Sequence, residues 1–280
     1  MNIYDTIAKK FDEMSKSQKK IASYILQHKA EVSFLNVNNL AQAAQVSEAT
    51  IIRFALFLGY KGYPQMQKEL QVQTQKQLSL RERLDISADA YEDKDAGLYK
   101  FFDEENNRLK LTQEALDPEV FFEIVKAIQK AKHVYILAGR SAVSLGYFMS
   151  YYLNMMLGNV VLIGNVDSYE ELICSLTAQD LVIGLTFSRY TRRTCDLIHF
   201  AHERGVPTVS ITDYMTSPVI KDSTYYLLAE TAMPTYLDSF VAPLTVINAL
   251  LTYVGRANVR RVDKRMADLE ALWDQFHSFV

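Results

Sequence analysis

Residues 37–63 read VNNLAQAAQVSEATIIRFALFLGYKGY, and the rest of the chain is interpreted from this stretch. Val37, Leu40, Ala41 and Ala44 form an apolar face at helical spacing, and the small alanines allow close helix packing. Gln45-Val46 makes the turn. A second helix opens at Ser47, whose hydroxyl is suited to accept from a backbone N–H of the first turn, while Glu48 suits the positive helix end. Ile51, Phe54, Ala55 and Leu58 give this helix a buried face, and Gly59 stops it. Two helices joined by a short turn have the form of a DNA-reading helix-turn-helix. The outward positions include Ser47, Glu48, Thr50 and Arg53, residue types that bond to base edges or phosphates at the start of a recognition helix. Tyr60, Lys61 and Tyr63 follow and suit phosphate contact. The same periodicity also fits a small helical dimerisation domain.

Charge separates the two ends of the chain. Its net charge is −3, yet residues 1–83 hold 12 Lys and Arg against 7 Asp and Glu, while the remainder holds 18 against 26. A basic front on an acidic body fits an anionic partner for the first part only. With 280 residues, 49% of them hydrophobic and 22% charged, the composition is that of a soluble protein able to bury a sizeable core. No apolar run reaches the roughly 18–20 residues of a membrane span, and the N-terminus lacks the apolar core of a secretion signal. Cys174 and Cys195 are too few for a disulfide framework or a metal cage. The expectation is a reduced cytoplasm, with no membrane partner, no metal and no cofactor.

The first eighty residues are helical in pattern. Ser17 precedes QKKIASYILQH, where Ile21, Tyr24, Ile25 and His28 recur at helical spacing. Residues 78–96, LSLRERLDISADAYEDKDA, lose the apolar period and turn acidic. They read as a linker with some helical content, between a first domain over 1–77 and a second over 97–280. A helical pattern resumes through LYKFFDEENNRLKLTQEAL, and Asp117-Pro118 supplies an N-cap and a first-turn proline for EVFFEIVKAIQKA.

From His133 the pattern changes class. HVYILAG, VVLIG, DLVIGLTF, PTVSIT and TYYLLAE are short apolar runs, and helix patterns such as SAVSLGYFMSYYLNMML, YEELICSL and RRTCDLIHFAHERG lie among them. This alternation predicts an α/β fold, a parallel sheet with helices on both faces. Ligands of such sheets bind outside the carboxyl ends of the strands. Two loops lie there. Gly139-Arg140-Ser141 joins a strand end to a helix start, with a glycine for close backbone approach and a hydroxyl beside a helix N-terminus. Thr186 to Thr194, TFSRYTRRT, adds Ser188, Arg189, Thr191 and further arginines at a second helix start. Hydroxyl donors with positive charge suit a phosphate, although a single Gly-Ser turn often does no more than cap a helix.

The run LAQAAQVSEATIIRFALFLGYKGYPQMQKEL resembles the N-terminal helix-turn-helix of RpiR-family bacterial transcription regulators, which carry a similar VSxATxxRFxxxLGxxGF pattern. The resemblance implies that Ser47, Glu48, Ala49, Thr50 and Arg53 face DNA, with Lys61 near phosphates; Tyr63 stands where the family usually has Phe. Residues 120–255 resemble a SIS (sugar isomerase) domain, a phosphosugar-binding module. Ser141 matches the serine of its first loop, often GxGxS, although Leu137 replaces the first glycine. Thr186, Ser188 and Thr191 match the hydroxyls of the second loop, S-x-S-G-x-T, where Arg189 replaces glycine as in a subgroup of these regulators. ITDYMTSPV resembles the family's ITD…SP segment. The implied ligand-binding set is Gly139, Arg140, Ser141, Thr186, Ser188, Arg189 and Thr191.

The leading expectation is therefore a transcription factor acting on a duplex DNA operator as a homodimer or homotetramer, with a phosphorylated sugar as effector. The C-terminal VRRVDKRMADLEALWDQFHSF, with an apolar stripe of Leu269, Leu272, Trp273 and Phe276, serves either that pairing or packing on its own domain. A ketose–aldose phosphate isomerase is the enzyme alternative. Some isomerising relatives place glutamate in a T-x-E-T loop where this chain has Arg193, and arginine cannot act as a base. None of the five histidines falls in the two loops, and His199 with His202 lacks a third metal ligand. Glu230 is the remaining remote candidate for a base. A sugar-phosphate sensor whose first domain is only a protein adaptor is the third reading.

Overall fold

In the computed structural model, residues 3–77, 80–90, 93–164, 170–233, 235–257 and 259–279 are described. Residues 78–79 and 91–92 of the expected linker, and Tyr169 at the start of the YEELICSL helix, lie outside them. By contact the chain divides into two units: Met1–Phe101 with Ala232–Asp238, and Phe102–Thr231 with Ser239–Val280. Among the described residues no helix is long and apolar enough to cross a membrane.

The first unit is helical: α1 (Ile3–Lys10), α2 (Lys16–Gln27), α3 (Lys29–Val32), α4 (Val37–Ala43), α5 (Glu48–Leu58), α6 (Tyr63–Gln77) and α7 (Leu80–Ala90). Helix α2 starts ahead of Ser17, because Ser15 and Gln18 form a reciprocal capping box, with Ser15 N–H donating to Gln18 Oε1 at 2.9 Å. Ile21, Ala22 and Ile25 of α2 join Leu40 and Ala41 of α4 and Ile51, Phe54, Ala55 and Leu58 of α5 in one core. The buried face expected of α5 is the observed one. Tyr63 enters the same core, only 4% exposed, and its hydroxyl donates to the Leu35 carbonyl. Its ring thus takes the place of an apolar residue, which removes Tyr63 from phosphate contact. The expected linker is largely helical, since α7 occupies Leu80–Ala90 and its buried Arg83 donates to the Thr235 carbonyl at 3.0 Å within this unit.

The helix α8 (Lys94–Ala115) leads into the second unit, followed by α9 (Pro118–Lys130), which Asp117 caps by accepting from Glu119 N–H at 2.8 Å. The sheet holds β1 (Val134–Ala138), β2 (Val160–Ile163), β3 (Leu181–Leu185), β4 (Thr208–Thr212) and β5 (Tyr225–Leu228), all parallel, in the order β2-β1-β3-β4-β5. Between them run α10 (Val143–Leu157), α11 (Glu170–Ile173) and α12 (Arg192–Glu203), and α13 (Val241–Ala257) and α14 (Val259–Gln275) close the chain. Strands covered on both faces must be apolar along their length, and β1, β3 and β4 are buried throughout. Val134, Ile136 and Ala138 face a core built with α9, α10 and α13, while Tyr135 and Leu137 face one built with α11 and α12. The stripe of α14 is divided: Leu269 and Trp273 are half-buried, and Leu272 and Phe276 are exposed.

Candidate functional site

The strand order sets the site of the second unit. The chain moves outward from β1 to β2, then returns across β1 to β3, so the direction of winding reverses between β1 and β3. At such a switch point the two following loops part and leave a crevice. Ala138 of β1 is in register with Leu185 of β3, so the loops opening on Gly139 and Thr186 leave the sheet side by side at one level.

These loops meet. A Cβ built on Gly139 would lie 2.9 Å from Thr191 Cγ2 and 3.0 Å from its Oγ1, so the close approach requires glycine. Thr191 stands at the N-cap of α12, yet its side chain makes no cap hydrogen bond. The turn of 3-10 helix Arg140–Ala142 that leads into α10 starts at Gly139, which has no side chain to cap it. The start of α12 and the start of this turn thus both open on the crevice, with no side chain capping either. Arg140 and Arg189 both have left-handed backbone, with φ of 55° and 64°. Two non-glycine residues in this sparsely populated region, one on each loop, are the strain expected where function overrides propensity. Both are exposed, as is Ser141, whose carbonyl accepts from the Ser144 hydroxyl at 2.8 Å.

Thr186 and Ser188 are placed differently. Thr186 is buried, and its N–H donates to the Ile211 carbonyl of β4. Ser188 donates its N–H to Asp213 Oδ2 at 2.7 Å and its hydroxyl to the same oxygen, while the Tyr190 hydroxyl donates to Asp213 Oδ1 at 2.9 Å. Asp213 directly follows β4 and is fully buried. Burial raises its carboxyl above the ordinary carboxylate value, against the lowering effect of the Ser188 and Tyr190 hydrogen bonds. The Tyr190 phenol is pushed up in turn, by burial first and by the Asp213 charge second. Asp213 is the site residue the sequence did not single out. Its signal was the ITD segment, since a residue directly after an apolar strand of a parallel sheet stands at the crevice level.

Other candidate groups are placed as follows. Glu230 follows the edge strand β5, its N–H donating to Thr112 Oγ1 at 2.9 Å, and the hydroxyl of the adjoining Thr231 donates to Asp213 Oδ2 at 3.3 Å. The ring nitrogens of His199 face Asp222 at 3.1 Å and Glu203 at 3.3 Å, so both already have carboxylate partners. Arg193 is half-buried on the first turn of α12. Burial first, with the Asp196 charge, pushes the Cys195 thiol up to about 11, which leaves it a poor nucleophile.

In the first unit, α4 ends with Gln45 at φ 53°, and Val46 N–H returns to the Ala41 carbonyl at 2.9 Å. Gln45 thus takes the left-handed place usually held by glycine after a helix. Ser47 sits at the N-cap of α5, but its hydroxyl pairs with Thr50 Oγ1 at 2.8 Å and makes no bond to a backbone N–H. That differs from the expected cap, because Thr50 offers a side-chain partner one turn on. Ser47, Glu48, Ala49 and Arg53 are exposed, Thr50 is half-buried, and Arg53 Nε donates to the Ala49 carbonyl at 3.2 Å. Ile52 and Leu56, 43% and 52% exposed, extend this outward face and were not foreseen as part of it. Their signal was surplus apolarity on a helix whose buried face was already complete. Gly59 ends α5 at φ 102° with open space around it, so the backbone angle alone calls for glycine. Lys61 is exposed just beyond, its N–H donating to Gln65 Oε1 at 2.6 Å.

Known proteins resemble both halves. The family model described as the helix-turn-helix domain of the rpiR family matches residues 1–77, and the SIS domain model matches residues 127–253. The HTH-type transcriptional regulator HexR of Pseudomonas aeruginosa is 27% identical over 262 residues, or 90% of this chain and 89% of HexR. An uncharacterized HTH-type transcriptional regulator of Haemophilus influenzae is 28% identical over 229 residues, or 81% of this chain and 79% of that protein. Among solved structures, the sugar isomerase domain of an RpiR transcription factor from Sphaerobacter thermophilus covers 62% of this chain and 97% of its own, at 26% identity and a TM-score of 0.60. The NanR protein of Vibrio vulnificus, complexed with ManNAc-6P, has the same fold over 98% of this chain and 99% of its own, at 19% identity and a TM-score of 0.57. With an rpiR-type helix-turn-helix followed by a SIS domain, and relatives named as regulators along most of its length, this chain belongs to the RpiR family and is a transcriptional regulator rather than an enzyme.

Proposed function

We propose that this regulator binds a duplex DNA operator through α5 and that a phosphorylated sugar in the β1–β3 crevice sets its affinity. The observation that carries the effector half is the meeting of the two loops at Gly139 and Thr191, where Ser141, Arg140 and Arg189 stand exposed beside two helix starts. Guanidinium groups, hydroxyls and backbone N–H groups converging on one point are the donor set a phosphate takes. Ser141 and Thr191 serve as direct donors, whereas Ser188 and Tyr190 hold the second loop in place through Asp213. A phosphosugar is also the molecule bound to the NanR protein.

For the DNA half, Ser47, Glu48, Thr50 and Arg53 supply polar contacts at the start of α5, and Ala49, Ile52 and Leu56 suit thymine methyl groups in the major groove. Lys61 meets a phosphate past the end of the helix. The motif reads half-sites in pairs, so the working form is a homodimer or a pair of dimers, and a protein that reads chromosomal DNA works in the cytoplasm. The effector changes operator affinity only by its differential affinity for the arrangements of such an assembly.

The test is a thermal-shift screen of the full chain against phosphorylated sugars, followed by DNA binding with and without each hit. A ligand at 100 times its dissociation constant stabilises by roughly 2.7 kcal/mol. The effector half is lost if no phosphorylated sugar stabilises the protein. The DNA half is lost if binding to duplex DNA lacks a steep salt dependence.

A further inference from the structure

A groove runs between α2 and the turn ahead of α5. Lys16, Lys19, Lys20 and Tyr24 line one side and Gln45 the other, and no carboxylate of the described residues lines it. The capping box at Ser15 fixes the first turn of α2, so Lys16 and Lys20 stand one turn apart on the same face. Lys19 lies over the Phe11 ring, 5.4 Å from its centroid.

This placement is unfavourable for the helix by itself. Like charges one turn apart repel, and a helix N-terminus disfavours cations. The first turn of α2 also holds no acidic residue to offset them. An anion in the groove removes the penalty. Gln45 lies two residues before Ser47, which fixes the anion beside the start of α5. Lys61 lies beyond the other end of that helix. Eleven residues of α5 make about 16 Å of helix, and the major groove of B-DNA is roughly 12 Å wide. Cations thus stand at both ends of a helix long enough to reach the two strands that border the groove.

We infer that the first two turns of α2 form a backbone clamp for duplex DNA, with Lys16 and Lys20 contacting phosphates next to the segment read by α5. This rests on the proposed operator binding and adds to it a surface ahead of the α4–α5 pair.

The experiment measures binding of the full chain to a fluorescent random-sequence duplex across a potassium chloride series. Lys16→Ala with Lys20→Ala is expected to reduce the slope of log affinity against log salt by about 1.8, or about 0.9 for each phosphate left without its lysine. Its melting temperature should be unchanged or slightly raised, because repelling charges are removed. The control pair Lys110→Ala with Lys132→Ala, exposed lysines of the second unit, should leave the slope unaltered. An unaltered slope in the α2 variant while the parent protein binds overturns the clamp and leaves the α5 surface standing. An equal loss in the control pair also overturns it, since bulk charge is then the cause. Failure of the parent protein to bind duplex DNA at low salt removes the operator reading as a whole.

Discussion

Ser188 gives both of its donors to one oxygen of Asp213, the N–H at 2.7 Å and the hydroxyl at 2.5 Å. Its only hydroxyl proton is thereby committed to a buried carboxylate. Ser141 has no such tie to Asp213, and the two serines should behave differently when truncated. Ser188→Ala is expected to lower stability by about 1 kcal/mol through the lost hydrogen bond. Ser141→Ala should leave stability within about 0.5 kcal/mol of the parent but remove the thermal response to sugar phosphates. Urea unfolding and thermal shift on the same variants separate the roles. A normal response from Ser141→Ala would move the phosphate site elsewhere.

Gly139 has no room for a side chain against Thr191. Gly139→Ala must push the second loop away from the first, at about 1–3 kcal/mol of overpacking. The expected result is a lower urea midpoint together with loss of effector-induced stabilisation. Retention of both would mean that the loops separate readily and that their contact does not shape the crevice.

Arg189 holds a conformation that glycine adopts without strain. Arg189→Gly should relieve roughly 1–2 kcal/mol of left-handed strain. It also adds roughly 0.5–1 kcal/mol of backbone entropy to the unfolded chain. A net stabilisation near 0.5 kcal/mol is expected, with weaker binding of sugar phosphates because the guanidinium is gone. Tighter ligand binding by the glycine variant would remove Arg189 from the donor set.

Asp180, at the opposite end of the sheet from the crevice, gives the fold an acid-sensitive point. Burial favours its neutral form, but the Thr177 hydroxyl at 2.8 Å and N–H at 2.9 Å, with His133 at 3.0 Å, outweigh burial and hold the carboxyl below its ordinary value of 3.8. A depressed carboxylate contributes stability above its unfolded pKa and loses it as pH falls through the folded value. Urea midpoints should therefore fall below about pH 4 in the parent, and Asp180→Asn should flatten that part of the profile. The variant should also be less stable by about 1–2 kcal/mol at pH 7, since its amide cannot accept at both positions. An identical acid profile in the two proteins would contradict this.

Arg53 stands on the outward face of α5, so Arg53→Ala is expected to weaken operator binding by about 1–3 kcal/mol while leaving the thermal response to sugar phosphates intact. Titration of labelled operator against both proteins measures the difference. Equal affinities would take Arg53 off the DNA surface.

What the sequence disclosed follows from where burial leaves a pattern. All five strands were legible because a parallel sheet covered on both faces demands continuous apolar runs such as HVYILAG and DLVIGLTF. The buried face of α5 was legible from Ile51, Phe54, Ala55 and Leu58 at helical spacing. Side-chain partners were less so. Ser47 matches an N-cap in type and position, yet a hydroxyl with Thr50 in reach need not turn to the backbone. Tyr63 read as polar, although its ring belongs to the core and its hydroxyl needs only the Leu35 carbonyl. The turn at Arg140 and Arg189 was hidden because arginine does not advertise a left-handed backbone as glycine does. The ITD segment placed Asp213 at the level of the crevice, but its partners Ser188 and Tyr190 lie on the neighbouring loop, where no local pattern shows them.

The long helix α8 brings Glu105 and Thr112 into buried polar contact with the segment between β5 and α13: Ser239 donates to Glu105 at 2.8 Å, and Glu230 N–H donates to Thr112 at 2.9 Å. A sensor fragment trimmed to the 127–253 core would strip those partners and leave a hydroxyl and an amide facing an empty trough. Anyone wishing to study effector binding in isolation should therefore begin the polypeptide upstream of Glu104, inside α8. The helix that reads as a connector is, for folding purposes, the lid of the sensor's own box.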